Sequence, residues 1–297
     1  MRYALPILLL AAFAASAGSR RYYEHVSCGV CVTPEVDDVD DCSDLRVIMN
    51  DRAAVRAEEI VPAGGIRSLT MRAPENGGIY VRQSSGPRYA IKACKAAAMG
   101  ESLNDVRVSV SGDQVTATGP YSKQWLVYFI VDMPRGGRAD FTTTNGPIAV
   151  RGVDASVVAN AENGPISFEE STGTLRATAQ NGPIALSGSG GDVTLRTENG
   201  PIGVTLTDSS WIGGRLDART DNGPLSLRLP RHYRSGVTVD TDGNSPVKCH
   251  AEDCRNGRAA KWDDEEGGRW PRHIDLGSGA KVVSVATRNG PVTIDER

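Results

Sequence analysis

Asn145-Gly146-Pro147-Ile148-Ala149-Val150 is followed by Asn163-Gly164-Pro165-Ile166-Ser167-Phe168, then Asn181-Gly182-Pro183-Ile184-Ala185-Leu186, then Asn199-Gly200-Pro201-Ile202-Gly203-Val204. The Asn-Gly-Pro triplets of these four copies start 18 residues apart, and two more begin at Asn222 and Asn289. Random placement of the 12 Asn, 33 Gly and 16 Pro of this 297-residue chain would produce roughly 0.07 such triplets, so chance is excluded.

Aligned on the Asn, the copies share more than the triplet. Three residues on stand Ile148, Ile166, Ile184, Ile202, Leu225 and Val292, and five residues on stand Val150, Phe168, Leu186, Val204, Leu227 and Ile294. The residue between them is small: Ala149, Ser167, Ala185, Gly203, Ser226 or Thr293. An alternation of period two is that of a strand with one buried face. The stretch before each Asn alternates as well, as in Val193, Leu195 and Thr197 or Leu216, Ala218 and Thr220. Each unit therefore reads as strand, corner, strand, turn. Asn76-Gly77-Gly78-Ile79-Tyr80-Val81 is a weaker copy, and Val237 to Asn244 matches Leu216 to Gly223 with Asn and Gly exchanged.

One such unit cannot bury its apolar side alone, so units must stack, with equivalent strands parallel and about 4.8 Å apart. The fold class expected is all-β, a parallel β-helix or β-solenoid with coils of about 18 residues and Asn-Gly-Pro corners. Asn145, Asn163, Asn181, Asn199, Asn222 and Asn289 are the structural corner residues, able to stack as a ladder of amide hydrogen bonds. Gly is expected there for its backbone freedom, and Pro because it needs no ladder donor. The competing reading is an antiparallel meander, since Asn-Gly is also a hairpin signal. In a meander the Pro would interrupt the returning strand, and a constant period would have no meaning.

The ends and composition narrow the class. Arg2, the apolar run Leu5 to Phe13 and Ala15-Ser16-Ala17 have the form of a signal peptide over 1–17. The run is too short to span a bilayer, and no second long apolar segment follows, so no transmembrane segment is expected after cleavage. Aromatics are 5% and net charge is −3, which suits a thin aliphatic core and argues against nucleic-acid binding. Cys28, Cys31, Cys42, Cys94, Cys249 and Cys254 are an even set in an exported chain and are disulfide candidates, with zinc or redox chemistry as weaker alternatives. Cys249 and Cys254 are close enough to pair locally, which leaves Cys94 for one of the first three. The expected domains are 18–60, a Cys-containing N-terminal segment and candidate cap, and 61–297, the solenoid, interrupted by an insertion at about 231–281.

No Gly-x-Ser-x-Gly, His-Glu-x-x-His or Walker-type loop occurs. Asp240-x-Asp242-x-Asn244 begins like a calcium loop, but Ser245 replaces the required Gly. No catalytic, metal or cofactor site is assigned. The column before the corner is Thr144, Glu162, Gln180, Glu198, Asp221 and Arg288, and its Glu162 and Glu198 carry the alternative reading, a polysaccharide lyase or hydrolase. Trp262 and Trp270 in the insertion are a candidate partner surface, with cover for the apolar core as their ordinary role.

From about Gly65 onward the chain resembles the bacterial adhesin family of the DUF4097 type. The resemblance lies in Arg67 to Arg72, in the apolar strand Leu126 to Met133 closed by Pro134-Arg135-Gly136, and in the repeated Asn-Gly-x-Ile units. It implies a right-handed solenoid in the periplasm, on the cell surface or secreted. The implied function is non-enzymatic, an adhesin or scaffold binding an envelope protein or a glycan. The family carries no functional residues to transfer. Unpaired strands at the solenoid ends leave association between copies open.

Overall fold

A computed structural model describes residues 30–33, 39–242, 245–256, 260–261 and 270–297. The expected signal peptide, Cys28 and Trp262 lie outside these residues. Strands β1 (Val30–Thr33), β2 (Arg46–Met49) and β3 (Arg52–Ala53) form a small antiparallel sheet. Then come β4 (Val55–Val61), β5 (Leu69–Ala73), β6 (Ile79–Gln83), β7 (Ala90–Ala97), β8 (Arg107–Ser111), β9 (Gln114–Thr118) and β10 (Trp125–Met133). The repeats supply β11 (Arg138–Thr143), β12 (Ile148–Arg151), β13 (Asp154–Ala161), β14 (Ile166–Glu169), β15 (Thr172–Ala179), β16 (Ile184–Gly188), β17 (Asp192–Thr197), β18 (Ile202–Leu206), β19 (Leu216–Asn222) and β20 (Leu225–Leu229). The chain continues through β21 (Gly236–Thr241), β22 (Val247–Cys249), helix α1 (Glu252–Arg255), β23 (Ala260–Lys261), β24 (His273–Leu276), β25 (Lys281–Asn289) and β26 (Val292–Glu296).

From β11 to β20 the chain alternates between two long, mainly parallel sheets. Odd-numbered strands enter a twelve-stranded sheet and even-numbered ones an eleven-stranded sheet. The register is that of the sequence repeat. Ile148 lies opposite Ile166, Ile166 opposite Ile184, Ile184 opposite Ile202, Ile202 opposite Leu225, and Leu225 opposite Val292. All six are buried, as are Val157, Leu175, Val193, Leu216 and Val283 in the facing sheet. A meander would have paired neighbouring repeats antiparallel. Among the described residues both sheets are open, with edges at β4 and β8 at one end and at β22 and β23 at the other.

Before the repeats the pairing changes. β10 runs parallel to β6, but β7 runs antiparallel to β10 and β4 antiparallel to β7. β10 is an unbroken apolar run because both its faces are covered. Val127, Phe129 and Val131 enter the main core, while Leu126, Tyr128 and Ile130 join a second cluster with Tyr80, Ala96 and Ala149. The cover is the small sheet with the segment leading into β2, which together contribute Val39, Leu45, Val47 and Met49. Its β2–β3 hairpin turns on Asn50 and Asp51, both at positive φ, as a tight two-residue turn requires. Within the 18–60 segment β4 is the edge strand at one end of the eleven-stranded sheet, where a cap would sit, while residues 39–53 cover a face of that sheet. The cause is that β10, β6 and β12 present apolar residues outward.

The strand order departs from the chain order once more. β25 lies between β19 and β21, and β26 lies between β20 and β22. β21 and β22, which fall inside the expected insertion at about 231–281, are therefore part of the stack, as the match of Val237 onward to the Leu216 repeat implied: Val237 pairs with Val283, and Val247 with Val292. Among the described residues, α1, β23 and β24 leave the repeat, with β24 antiparallel to β21.

Candidate functional site

Each corner brings the chain from one sheet to the other and sets its Asn at the surface. Backbone bonds tie successive corners, from Asn163 N to Thr144 O at 2.7 Å and from Asn181 N to Glu162 O at 2.8 Å. The amides then continue the contact. Asn163 Nδ2 donates to Asn145 Oδ1 at 3.0 Å, Asn181 to Asn163 at 2.9 Å, Asn199 to Asn181 at 3.1 Å, Asn222 to Asn199 at 3.0 Å and Asn289 to Asn222 at 3.0 Å. The weaker copy joins at the other end, with Asn145 Nδ2 donating to Asn76 Oδ1 at 3.4 Å. The result is a ridge of seven amides, six exposed and Asn76 half-buried, about 29 Å long at the sheet spacing. Within the ridge each amide spends one N–H and one lone pair on its neighbours and turns the rest to solvent.

The Gly below the Asn has a different cause from the one expected. None of Gly146, Gly164, Gly182, Gly200, Gly223 and Gly290 has positive φ, so conformational freedom is not what selects it. What selects it is contact: a Cβ on Gly182 would lie 2.1 Å from Gly164 O, and one on Gly290 would lie 2.0 Å from Gly223 O. The corner layers touch backbone to backbone. Beneath them, buried hydroxyls complete the corner carbonyls. Thr197 Oγ1 donates to Gly182 O at 3.1 Å, Thr220 to Gly200 O at 2.8 Å and Thr287 to Gly223 O at 3.0 Å.

Beside the ridge runs the column Thr144, Glu162, Gln180, Glu198, Asp221 and Arg288. Glu162, Gln180 and Glu198 are exposed, and Arg288 pairs with Asp221 at 3.3 Å. Glu162 and Glu198 stand two strand spacings apart, about 10 Å, with Gln180 between them. The Pro residues stand on the other flank, with Pro165, Pro201 and Pro291 exposed. Amides, carboxylates and Pro rings along one straight edge offer a repeating set of donors, acceptors and flat apolar surface to an extended partner.

The other candidates fare differently. Cys42 is bonded to Cys94, and Cys249 to Cys254. Cys28 lies outside the described residues, and of Cys31 the backbone position in β1 is described. Trp270 is half-buried, and its companion Trp262 is not among the described residues. Asp41, Cys42 and Glu58 offer three ligand atoms within 4.8 Å of one another, but the sulfur belongs to the disulfide. Lys92 Nζ already sits there, 2.5 Å from Asp41 and 3.1 Å from Glu58. Its hydrogen bond holds the Asp41 carboxyl below its ordinary range, and Asp41 in turn raises Lys92. That position is an ion-pair clamp for the small sheet. A cleft of about 230 Å³ beside it is lined by Leu45, Val47, Arg56, Lys95, Ala96 and Leu126. Its charged groups are engaged, Arg56 with Leu45 O and Lys95 with Glu59.

Sequence reading missed the apolar outer face of β6 and β10 and the polar groups that pin the cover to it. Arg82 is bonded to Asp132 at 2.6 Å and to Asp40 at 3.2 Å. The signal was present in the unbroken run Leu126 to Val131, which no one-sided strand would show.

No protein-family model and no curated protein matches the chain. Solved structures resemble it weakly. A candidate cell adhesion protein of Clostridium sporogenes is 7% identical with a TM-score of 0.32, covering 82% of this chain and all of its own. A candidate adhesin of Bacteroides fragilis is 11% identical with a TM-score of 0.39, covering 82% and 97%. A candidate lipid-binding protein of Parabacteroides distasonis is 10% identical with a TM-score of 0.38, covering 82% and 96%. At these scores the likeness carries no argument about function. Among the described residues no helix is long and apolar enough to cross a membrane.

Proposed function

We propose that the chain is an exported, non-enzymatic envelope or surface protein of the DUF4097 adhesin type. Its two long sheets wind as a right-handed β-solenoid with coils of about 18 residues, and it acts as an adhesin or scaffold that binds a glycan or a protein along the corner ridge. The observation that carries this reading is the row of seven mutually bonded Asn side chains, six of them exposed. A straight row of identical amides at one repeat distance fits an extended, repeating partner better than a small molecule, which would require a concave pocket. The apolar N-terminal run and the two disulfides support export to an oxidising compartment, periplasmic or extracellular.

The test is a glycan array, with an envelope-protein pull-down alongside it, using the chain from residue 18 and a variant with Glu162→Ala, Gln180→Ala and Glu198→Ala. These side chains are exposed, so the variant should melt like the parent and lose most of its binding. Undiminished binding by the variant would move the site off this flank of the ridge. Release of reducing or unsaturated sugar ends would instead favour the polysaccharide-acting reading built on Glu162 and Glu198.

A further inference from the structure

Between β11 and β20 every layer follows its predecessor in the chain, so each can be laid on a surface already formed. The layer of β25 and β26 breaks that rule: both its walls, β19 with β20 and β21 with β22, come earlier in the sequence. We propose that this layer is an exchangeable strand pair, and that the slot it fills is a binding site for residues 281–297 of a second copy of this chain.

The slot reads the segment in detail. Val283, Val285, Val292 and Ile294 are buried between the sheets. Asn289 supplies a rung of the amide ridge to Asn222, and Thr287 Oγ1 bonds to Gly223 O. On the far wall Asp295 meets His250 Nδ1 at 2.8 Å, and Glu296 Oε2 accepts from Glu252 N at 2.7 Å. A foreign strand would satisfy the backbone ladder but not this set. An identical segment from another copy satisfies all of it, so exchange needs no new interface.

The connection has the build of a hinge. β24 lies on one side of β21 and β25 on the other, so residues 277–280 must cross the entry to β21. All four residues are exposed. Gly277 has φ +73°, and Cβ atoms on Gly277 and Gly279 would lie 2.3 Å from Ser235 O and 2.4 Å from Arg234 O. Only glycine lets the chain pass so close. The walls also have holds independent of the inserted layer: β21 pairs with β24, Trp211 N donates to Ser235 Oγ, Arg234 N donates to Ser209 O, and Cys249 is bonded to Cys254.

The test uses the full chain with a site-specific protease sequence placed between Gly277 and Ser278. After folding and nicking, an excess of fluorescent synthetic peptide 279–297 is added and the body is followed by gel filtration. The label should enter the body peak and displace the native segment, while a peptide carrying Val285→Asp and Ile294→Asp should not enter. Entry of label only at the temperature where the body itself unfolds would overturn the proposal, and so would collapse of the body on nicking. In the intact chain, hydrogen exchange gives an independent reading. Amides of β25 and β26 should exchange faster than those of β16 and β18, and equal protection would sink the idea.

Discussion

At a single corner, two adjacent residues make opposite demands. Gly182 is selected by the carbonyl of Gly164, which a Cβ would meet at 2.1 Å, and backbone cannot give way as a flexible side chain can. Gly182→Ala should therefore cost about 3 kcal/mol, at the upper end for forced overpacking. Gly203→Ala is the control: nothing lies within 4 Å of a Cβ there, and the midpoint in urea should hold or rise slightly. Equal effects would mean that the layers do not touch at the corner. Asn181 is the other case. It holds two ladder bonds, but at the surface, where water can replace the lost amide. Asn181→Ala should cost about 1 kcal/mol by the same measurement, the net worth of solvated hydrogen bonds and not the penalty of buried orphans. An unchanged midpoint would show that the ladder contributes nothing.

Between strands, charges and the disulfide act as clamps. Arg196 on β17 holds Asp217 on β19 through two bonds, Nη2 to Oδ2 at 2.6 Å and Nη1 to Oδ1 at 3.2 Å, and Arg219 adds a third at 3.1 Å. Burial pushes the Asp217 carboxyl up, but the bonds to Arg196 and its charge, with Arg219, outweigh burial and hold it below its ordinary 3.8. A depressed folded value means that the stabilisation is full above that ordinary value and is lost as pH falls through the folded one. Asp217→Asn should therefore lower the melting temperature at pH 7 and flatten its fall below about pH 4, and an acid limb identical to the parent's would refute the clamp. The small sheet is held by Cys42–Cys94, which spans 52 residues. Cys42→Ser with Cys94→Ser should cost about 2–4 kcal/mol, the usual range for a native disulfide closing a long loop. Residues 39–53 should become the first site of proteolysis, and binding of an apolar dye should rise as Tyr128 and Ile130 are uncovered.

For the whole molecule, the repeat makes length a free parameter. Residues 166–183 form one complete unit, and their removal joins Pro165 to Ile184 while leaving the register of every remaining strand intact. The shortened chain should fold with an unchanged circular dichroism shape and a body about 4.8 Å shorter by small-angle scattering. Removal of half a unit should unfold it, and tolerance of both deletions alike would deny the winding. This much was legible in the sequence, because period, alternation and triplet are local and repeat until chance is excluded. Inward residues such as Ile184 and Leu186 could be assigned without coordinates, since side chains alternate along a strand whatever its neighbours. Which strand lies beside which is another matter. Parallel layers of nearly the same sequence are nearly interchangeable partners, so nothing in Val283 or Val292 says that their layer enters between two earlier ones. Nor does Tyr80 or Leu126, apolar on a face expected to meet solvent, say what covers it. Pairing order and covered faces depend on contacts between segments remote in the chain, and only the folded structure decided them.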